Sequence, residues 1–497
     1  MFTVIAFPAS LDERNTSIAL DHSATIDDQA LRILSLSSTT LFGQDAIFWS
    51  KNITGAGSTI AVLDTGINAN HTVFQNKTVY WKDVTNESYA TPYDISGHGT
   101  MCASIAAGNS TGYQGIAPGC NIAAIKMFYE DSTGQPNAGN TQAIAAVNYL
   151  LANATAWNVT VASLSWGDDN MSANGQDQLS QAVDRLPEAG ITTVVAQGNY
   201  EGNVTHVCAP GVSPDVITVG ALDPTTMSVA SFSLPGPTAN GRVKPDLIAP
   251  GVDVAGADSL SNTSYASGSG TSFATPMVAG LAALILQEFP SLNPFTLKQL
   301  LCLTALQVTF TAGQPDNHQG WGLVNPAGVV QAMTQAWAMA SPLHVSIAMN
   351  QPWNRSYVTK VFLQPGITNR FDITPPGDVI VGNTNLGAMF DVYLYSPNAT
   401  SAGLPLLLAS SVDGRLLVTV PAAGMYYLAL KPRPGAWSAE GGDLTFSVTI
   451  VHSTSYEMHG AFIGGVSVAV AGACLSLGTV VSFTRNSRRK AMQEEFF

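Results

Sequence analysis

Three residue types that can together move a proton and attack a carbonyl stand far apart in this chain. They are Asp64 in Asp-Thr-Gly at the end of an apolar run, His98 in Gly-His-Gly-Thr, and Ser272 in Gly-Thr-Ser-Phe-Ala-Thr-Pro. A serine hydroxyl is a poor nucleophile until a neutral imidazole takes its proton, and that imidazole needs a carboxylate to fix its tautomer and stabilise its charged form. Asn199, in the Gly-Asn that follows TTVVAQ, offers a side-chain amide donor for a tetrahedral oxyanion beside the Ser272 backbone N–H. Each block alone has an ordinary structural explanation, as a strand-to-turn sequence, a structural histidine or a helix start. Jointly they supply what acyl transfer requires, and the small residues flanking them leave room for sharp turns and a substrate.

The elements that must position these residues follow from the hydrophobic pattern. From about residue 38 to 340, short β-rich runs alternate with longer Ala-rich stretches. The predicted strands are Thr59–Leu63, Ile122–Met127, Val159–Ser165, Thr192–Ala196 and Val216–Val219. The predicted helices are Gly99–Gly108, Thr141–Ala154, Gly175–Glu188 and Ser272–Phe289. Such alternation implies an α/β fold, a mainly parallel central sheet covered by helices on both faces. In these sheets functional groups collect where strands end and helices begin. Asp64 closes a strand, and His98 and Ser272 each open a helix at that same edge.

The segments AVLDTGI, SGHGTMCASIAAG, AQGNYEG and GTSFATPMVAG, in the order Asp, His, Ser, closely resemble the four signature blocks of the subtilisin-like serine proteases, the subtilases or peptidase family S8. The similarity covers about residues 40–335. It implies the three-layer subtilisin-like fold, serine endopeptidase activity on peptide or protein substrates, and a triad of Asp64, His98 and Ser272 with Asn199 at the oxyanion. It further implies that Ser165, Trp166 and Gly167 form a substrate-pairing wall of the pocket for the residue before the scissile bond, although Trp166 could also be a core residue. Strand addition of this kind binds many peptides through main-chain hydrogen bonds. Cys208 falls at the base of that pocket, where the family has a small residue, and implies a preference for smaller or modest apolar side chains unless it points away into packing. Cys102 resembles the cysteine of the thiol-bearing subtilases and reads as a buried neighbour of the site. Thr275-Pro276 corresponds to a cis peptide. The run AAGNSTGYQGIAPG is too short for the family's calcium-binding insertion after the histidine helix. No cofactor is required by the chemistry, and structural calcium is possible without being indicated. The wall segments show no acidic cluster for reading paired basic residues, which favours broad degradation.

Composition bounds the remainder. Charged residues make up 11% of the chain, hydrophobic residues 46%, and the net charge is −14, which argues against nucleic acid as a partner. After about residue 341 the pattern changes to short strands broken by Pro, Gly and Asn, including Val379–Val381, Phe390–Tyr395, Leu416–Val420, Met425–Leu430 and Asp443–Ile450. This reads as a β-sandwich domain over 341–455. Residues 461–483 carry no charge and as a helix would reach roughly 34 Å, enough to span a membrane. Arg485, Arg488, Arg489 and Lys490 follow directly, so the positive-inside rule places 484–497 in the cytoplasm and everything before the span outside the cell. Asn-x-Ser/Thr triplets run from Asn15 to Asn398, and none follows the span. Residues 1–37 form no clear unit and read as a propeptide remnant behind a truncated start, since no basic residue precedes their apolar run. The oligomeric state is not legible. The rival reading is an inactive surface binding or adhesion protein on the same scaffold.

Overall fold

The computed structural model describes residues 44–86, 88–200, 204–308, 315–337, 343–349, 357–374, 390–411, 415–432 and 444–456. The segment 1–37, the strand expected at Val379–Val381, the run 461–483 and the tail 484–497 lie outside these residues. Among the described residues no helix is long and apolar enough to cross a membrane.

The α/β region is built on strands β1 (Thr59–Asp64), β2 (Val79–Asp83), β3 (Asn121–Lys126), β4 (Val159–Leu164), β5 (Thr192–Ala196), β6 (Ile217–Asp223), β7 (Ser228–Val229) and β8 (Leu247–Pro250). They lie in the order β7-β6-β5-β4-β1-β3-β2, with β8 also paired to β6. Every pairing is parallel except β6 with the short β7. Chain order reverses about β1, because β2 and β3 extend the sheet on one side and β4 to β6 on the other. That makes the carboxyl end of β1 a topological switch point, where open α/β sheets leave a crevice. Asp64 is its last residue.

All six residues of β1 are buried, as a strand covered on both faces requires. Ile60 and Val62 enter one core with residues of α1 (His98–Ala107) and of α4, the Thr271–Glu288 helix, among them Met101, Ile105, Met277 and Leu281. Ala61 and Leu63 enter the other with residues of α2 (Asn140–Asn153) and α3 (Gln178–Glu188), among them Val147, Leu150, Leu179 and Val183. The period of two along the strand thus sorts its side chains between two helical layers. Helix α4 is buried from Thr271 to Ile285, and its composition matches, being apolar or small all round. A Cβ at Gly280 would come within 2.6 Å of Ile116 Cβ and 2.9 Å of the Ala106 carbonyl, so the missing side chain lets α4 lie directly against the end of α1. A hairpin of β9 (Val254–Ala257) and β10 (Tyr265–Gly268) leads into α4.

Just before β8, Asp246 Oδ2 accepts hydrogen bonds from Lys244 Nζ at 2.7 Å and the Thr218 backbone N–H at 2.8 Å, with Lys298 Nζ at 3.4 Å. Lys298 lies on α5 (Pro294–Thr304) and also donates to the Pro214 and Val216 carbonyls.

Beyond α6 (Pro326–Thr334) the chain forms two antiparallel sheets. One has the order β11-β13-β18-β15-β16, from Ala336–Trp337, Tyr357–Leu363, Gly424–Pro432, Phe390–Tyr395 and Leu407–Ser411. The other has the order β12-β19-β14-β17, from Leu343–Met349, Leu444–Tyr456, Ile367–Thr374 and Arg415–Thr419. Among the described strands of these two sheets only the short β11 pairs in parallel, and it starts inside the stretch 38–340 assigned to the first domain. The two regions touch. Gln299 Nε2 on α5 donates to the Ser396 carbonyl at 3.1 Å, and Trp321 packs edge-on to Tyr395.

Candidate active site

Asp64, His98 and Ser272 are all nearly inaccessible, at 1%, 1% and 3% relative exposure. His98 Nδ1 lies 2.8 Å from Asp64 Oδ1, which also accepts the Thr65 backbone N–H at 2.7 Å. With the carboxylate ionised, Nδ1 carries the proton and Nε2 is left as the basic nitrogen. Asp64 Oδ2 is buried with no hydrogen-bond partner among the described residues. Burial works to lower the His98 pKa, but the Asp64 carboxylate and the Cys102 thiol together outweigh it, and the imidazole is held well above its ordinary value.

Cys102, one helical turn after His98, places its Sγ 3.8 Å and 4.0 Å from the two ring nitrogens and donates to the Ser272 carbonyl at 3.5 Å. It is therefore a shared neighbour of His98 and Ser272, and burial pushes its thiol pKa up, away from thiolate chemistry. Phe273 packs against the imidazole with ring centroids 5.6 Å apart. The Asp64, His98 and Cys102 side chains bring their polar atoms within 4.8 Å of one another, and among the described residues they are the group that could converge on a metal ion.

Ser272 is the second residue of α4. Its Oγ donates to the Ser165 carbonyl at 3.1 Å, while Ser165 Oγ donates to the Ser272 carbonyl at 2.8 Å. The sequence explains why that carbonyl is available. Residue 276, whose N–H would bond it in a regular helix, is proline and has none. The peptide bond before Pro276 is not cis, contrary to the expectation from resemblance. Among the described residues the cis bonds precede Pro210, Pro237 and Pro245, and Pro276 sits inside α4, where it releases the Ser272 carbonyl to Ser165 and Cys102.

A cleft of about 510 Å³, open to solvent, brings Ser272 together with Ser165, Trp166, Gly167, Asn199 and Cys208. Asn199 Oδ1 accepts both the backbone N–H and the hydroxyl of Thr271, at 3.0 and 3.1 Å, which fixes the orientation of the amide. Trp166 belongs both to the cleft lining and to the core, and its indole N–H donates to the Leu63 carbonyl at 2.8 Å, tying the wall segment to β1 next to Asp64. Cys208 is buried, donates its thiol to the His206 carbonyl at 3.3 Å, and has its pKa pushed up to about 12 by burial and by the charges of Asp168 and Asp169.

Asp168 and Asp169, which directly follow the expected wall segment Ser165-Trp166-Gly167, also line the cleft. Burial raises the Asp168 carboxyl to about 6, aided by the negative charges of Asp177 and Asp169. Their adjacency to Ser165-Trp166-Gly167 was the available signal. A two-stranded hairpin, Asn109–Ser110 with Tyr113–Gln114, occupies the short connection after α1. The residues that sequence reasoning missed are Thr271 and, on the His98 side, Thr65 and Asp94.

The subtilase family model matches residues 55–322, more than half of the chain. The chain belongs to the subtilase family. It is 35% identical over 293 residues to serine protease AprX of Bacillus subtilis (strain 168), a match that covers 54% of this chain and 66% of that protein. It is 36% identical over 239 residues to a cuticle-degrading serine protease of Arthrobotrys oligospora, covering 47% of this chain and 53% of that one. Subtilisin DY of Bacillus licheniformis is 33% identical over 282 residues, covering 56% of this chain and 92% of its own. The chain thus spans just under two thirds of the length of the first of these relatives and about half of the second.

Proposed function

We propose that this protein is a serine endopeptidase that cleaves extracellular proteins through an acyl-enzyme on Ser272. The observation that carries this reading is the 2.8 Å contact of His98 with Asp64 at the switch point of the sheet, with Ser272 held against the same Cys102 thiol. His98 Nε2 takes the Ser272 hydroxyl proton as Oγ attacks the substrate carbonyl carbon. Asp64 holds Nδ1–H and stabilises the imidazolium. With Asn199 Oδ1 bonded to Thr271, its Nδ2 end and the Ser272 backbone N–H are the donors for the oxyanion. The imidazolium then gives its proton to the leaving amine. Water, activated by the same imidazole, hydrolyses the ester and frees Ser272.

Ser165, Trp166, Gly167 and Cys208 receive the residue before the scissile bond. The apolar run 461–483 anchors the protein as a single span, with the catalytic region outside the cell and 484–497 in the cytoplasm. The support is the uncharged run and the basic residues that follow it.

The test is incubation of the folded protein with a long unstructured polypeptide, followed by mass analysis of the products. Internal cuts that vanish in Ser272→Ala are expected. No cleavage, or release of terminal residues only, overturns the reading.

A further inference from the structure

Helix α1 delivers His98 at its first position, so the placement of the imidazole depends on how that helix begins. The first four N–H groups of an α-helix have no partner within it and are usually met by a capping side chain. Gly97, the residue before His98, has none to offer, and its φ of 84° lies in the left-handed region that glycine tolerates. Asp94 takes over this role from outside the helix. Its Oδ1 accepts from the backbone N–H groups of Ser96 at 3.1 Å and Gly97 at 2.9 Å. Its Oδ2 accepts the N–H of Thr100 at 2.7 Å and the Thr100 hydroxyl at 2.6 Å.

The same carboxylate reaches the strand that carries the other partner. Thr65, the residue after Asp64, donates its hydroxyl to Asp94 Oδ1 at 2.8 Å, and that hydroxyl accepts the N–H of Gly99 at 2.9 Å. Thr100 Oγ1 in turn accepts the N–H of Asn68 at 2.9 Å. Backbone bonds run alongside, from Ile67 N–H to the Tyr93 carbonyl and in the bridge between Gly66 and Asp94. The approach is close because two side chains are absent. A Cβ on Gly99 would sit 2.2 Å from the Gly66 carbonyl oxygen, and one on Gly66, whose φ is 130°, would sit 2.0 Å from the Tyr93 carbonyl oxygen.

We infer that Asp94 is a positioning residue of the reaction, setting the Asp64–His98 distance by binding the end of β1 and the start of α1 to one carboxylate. It touches neither the imidazole nor the nucleophile, and it acts through Thr65 and the first turn of α1. This rests on the proposed triad. A misplacement of about 1 Å in a reacting group can lower turnover by about 10²-fold, so the clamp matters to rate more than to substrate affinity.

The test is steady-state hydrolysis of a peptide substrate by the whole protein bearing Asp94→Asn, Asp94→Ala, Thr65→Ala or Thr65→Ser. The inference expects kcat to fall by about 10²-fold in Asp94→Ala and less in Asp94→Asn, with KM changed less than about threefold. It also expects the acid limb of kcat/KM to move toward the ordinary histidine value of about 6.5 as the Asp64–His98 bond loosens. Thr65→Ser should recover most of what Thr65→Ala loses. Asn293→Ala, which removes a side-chain cap from α5, lowers stability without moving kcat or the acid limb, separating positioning from general softening. If Asp94→Ala does not fold, Asp94→Asn and the Thr65 pair decide. Wild-type kcat and an unmoved acid limb in folded Asp94→Asn and Thr65→Ala overturn the inference, whereas a wild type that neither cleaves nor reacts at Ser272 overturns the proposed function beneath it.

Discussion

Two buried carboxylates, one at the carboxyl end of a strand and one just before the amino end of another, are treated differently by the same fold. Asp246, just before β8, has Oδ2 shared among Lys244, Lys298 and the Thr218 N–H of β6. Burial alone would raise its carboxyl, but the two ammonium groups hold it below the ordinary range. Asp64, at the rim, has the His98 imidazole and the Thr65 N–H on Oδ1, and an Oδ2 with no hydrogen bond among the described residues. The first arrangement gathers two ammonium groups and a backbone N–H on one carboxylate oxygen inside the fold. The second pairs the carboxylate with an imidazole whose neighbour Cys102 also donates to the Ser272 carbonyl. A carboxylate held between cations anchors structure, whereas one paired with an imidazole can tune a base.

Mutations can break this contrast. The largest effect is expected from Ser272→Ala, which removes the nucleophile and should lower kcat by about 10⁵–10⁶-fold while leaving the thermal midpoint within a degree or two. A large loss of stability there would show that the rim is structural after all. Asp246→Ala should do the opposite. Two ammonium groups left buried without their anion destabilise the fold by about 3–5 kcal/mol, read by denaturant unfolding. Because the folded pKa of Asp246 is depressed, its contribution is present above the ordinary carboxylate pKa and is lost as pH falls through the folded value. Wild-type stability in that variant would remove the structural half of the comparison.

Asn199→Leu keeps the size of the side chain and loses the oxyanion donor, so kcat should drop by about 10²–10³-fold with KM little changed. A change confined to KM would place Asn199 in substrate binding instead. The smallest effect concerns Asp184, whose carboxyl is pushed to about 7, first by burial and then by the charge of Asp215. A raised carboxyl pKa weakens the folded state as pH rises from the unfolded value toward 7. Asp184→Asn should therefore stabilise the protein at pH 8, by about 1 kcal/mol once the rise to about 7 is discounted for solvent screening of this half-buried side chain, and have no effect near pH 3, checked by melting at both.

Much of this was legible in the residues. The strand at Thr192–Ala196 matches its expected bounds, and the helices opening at His98 and Thr271 begin one residue before the expected Gly99 and Ser272. The triad types could be read because each sits in a short block with small neighbours. Asp94 could not, since its meaning comes from β1 and α1 converging, and its neighbours Tyr93 and Ile95 give no local pattern. Thr271 was visible only as a helix start, while its hold on Asn199 depends on a contact across 72 positions of chain. A resemblance suggested an isomer at Pro276, whereas its missing N–H is what frees the Ser272 carbonyl. The C-terminal sheets were foreseen from strands broken by Pro and Gly, yet their contacts with α5 and Trp321 were not, because nothing local in Gln299 or Tyr395 marks a partner.

The account stands most directly on reaction of the intact protein with a fluorophosphonate, followed by peptide mapping. It predicts one covalent adduct, on Ser272, forming faster as pH rises along a limb set above the ordinary histidine pKa by the Asp64 carboxylate. A well-folded sample that takes no label, or takes it at another residue, contradicts the account.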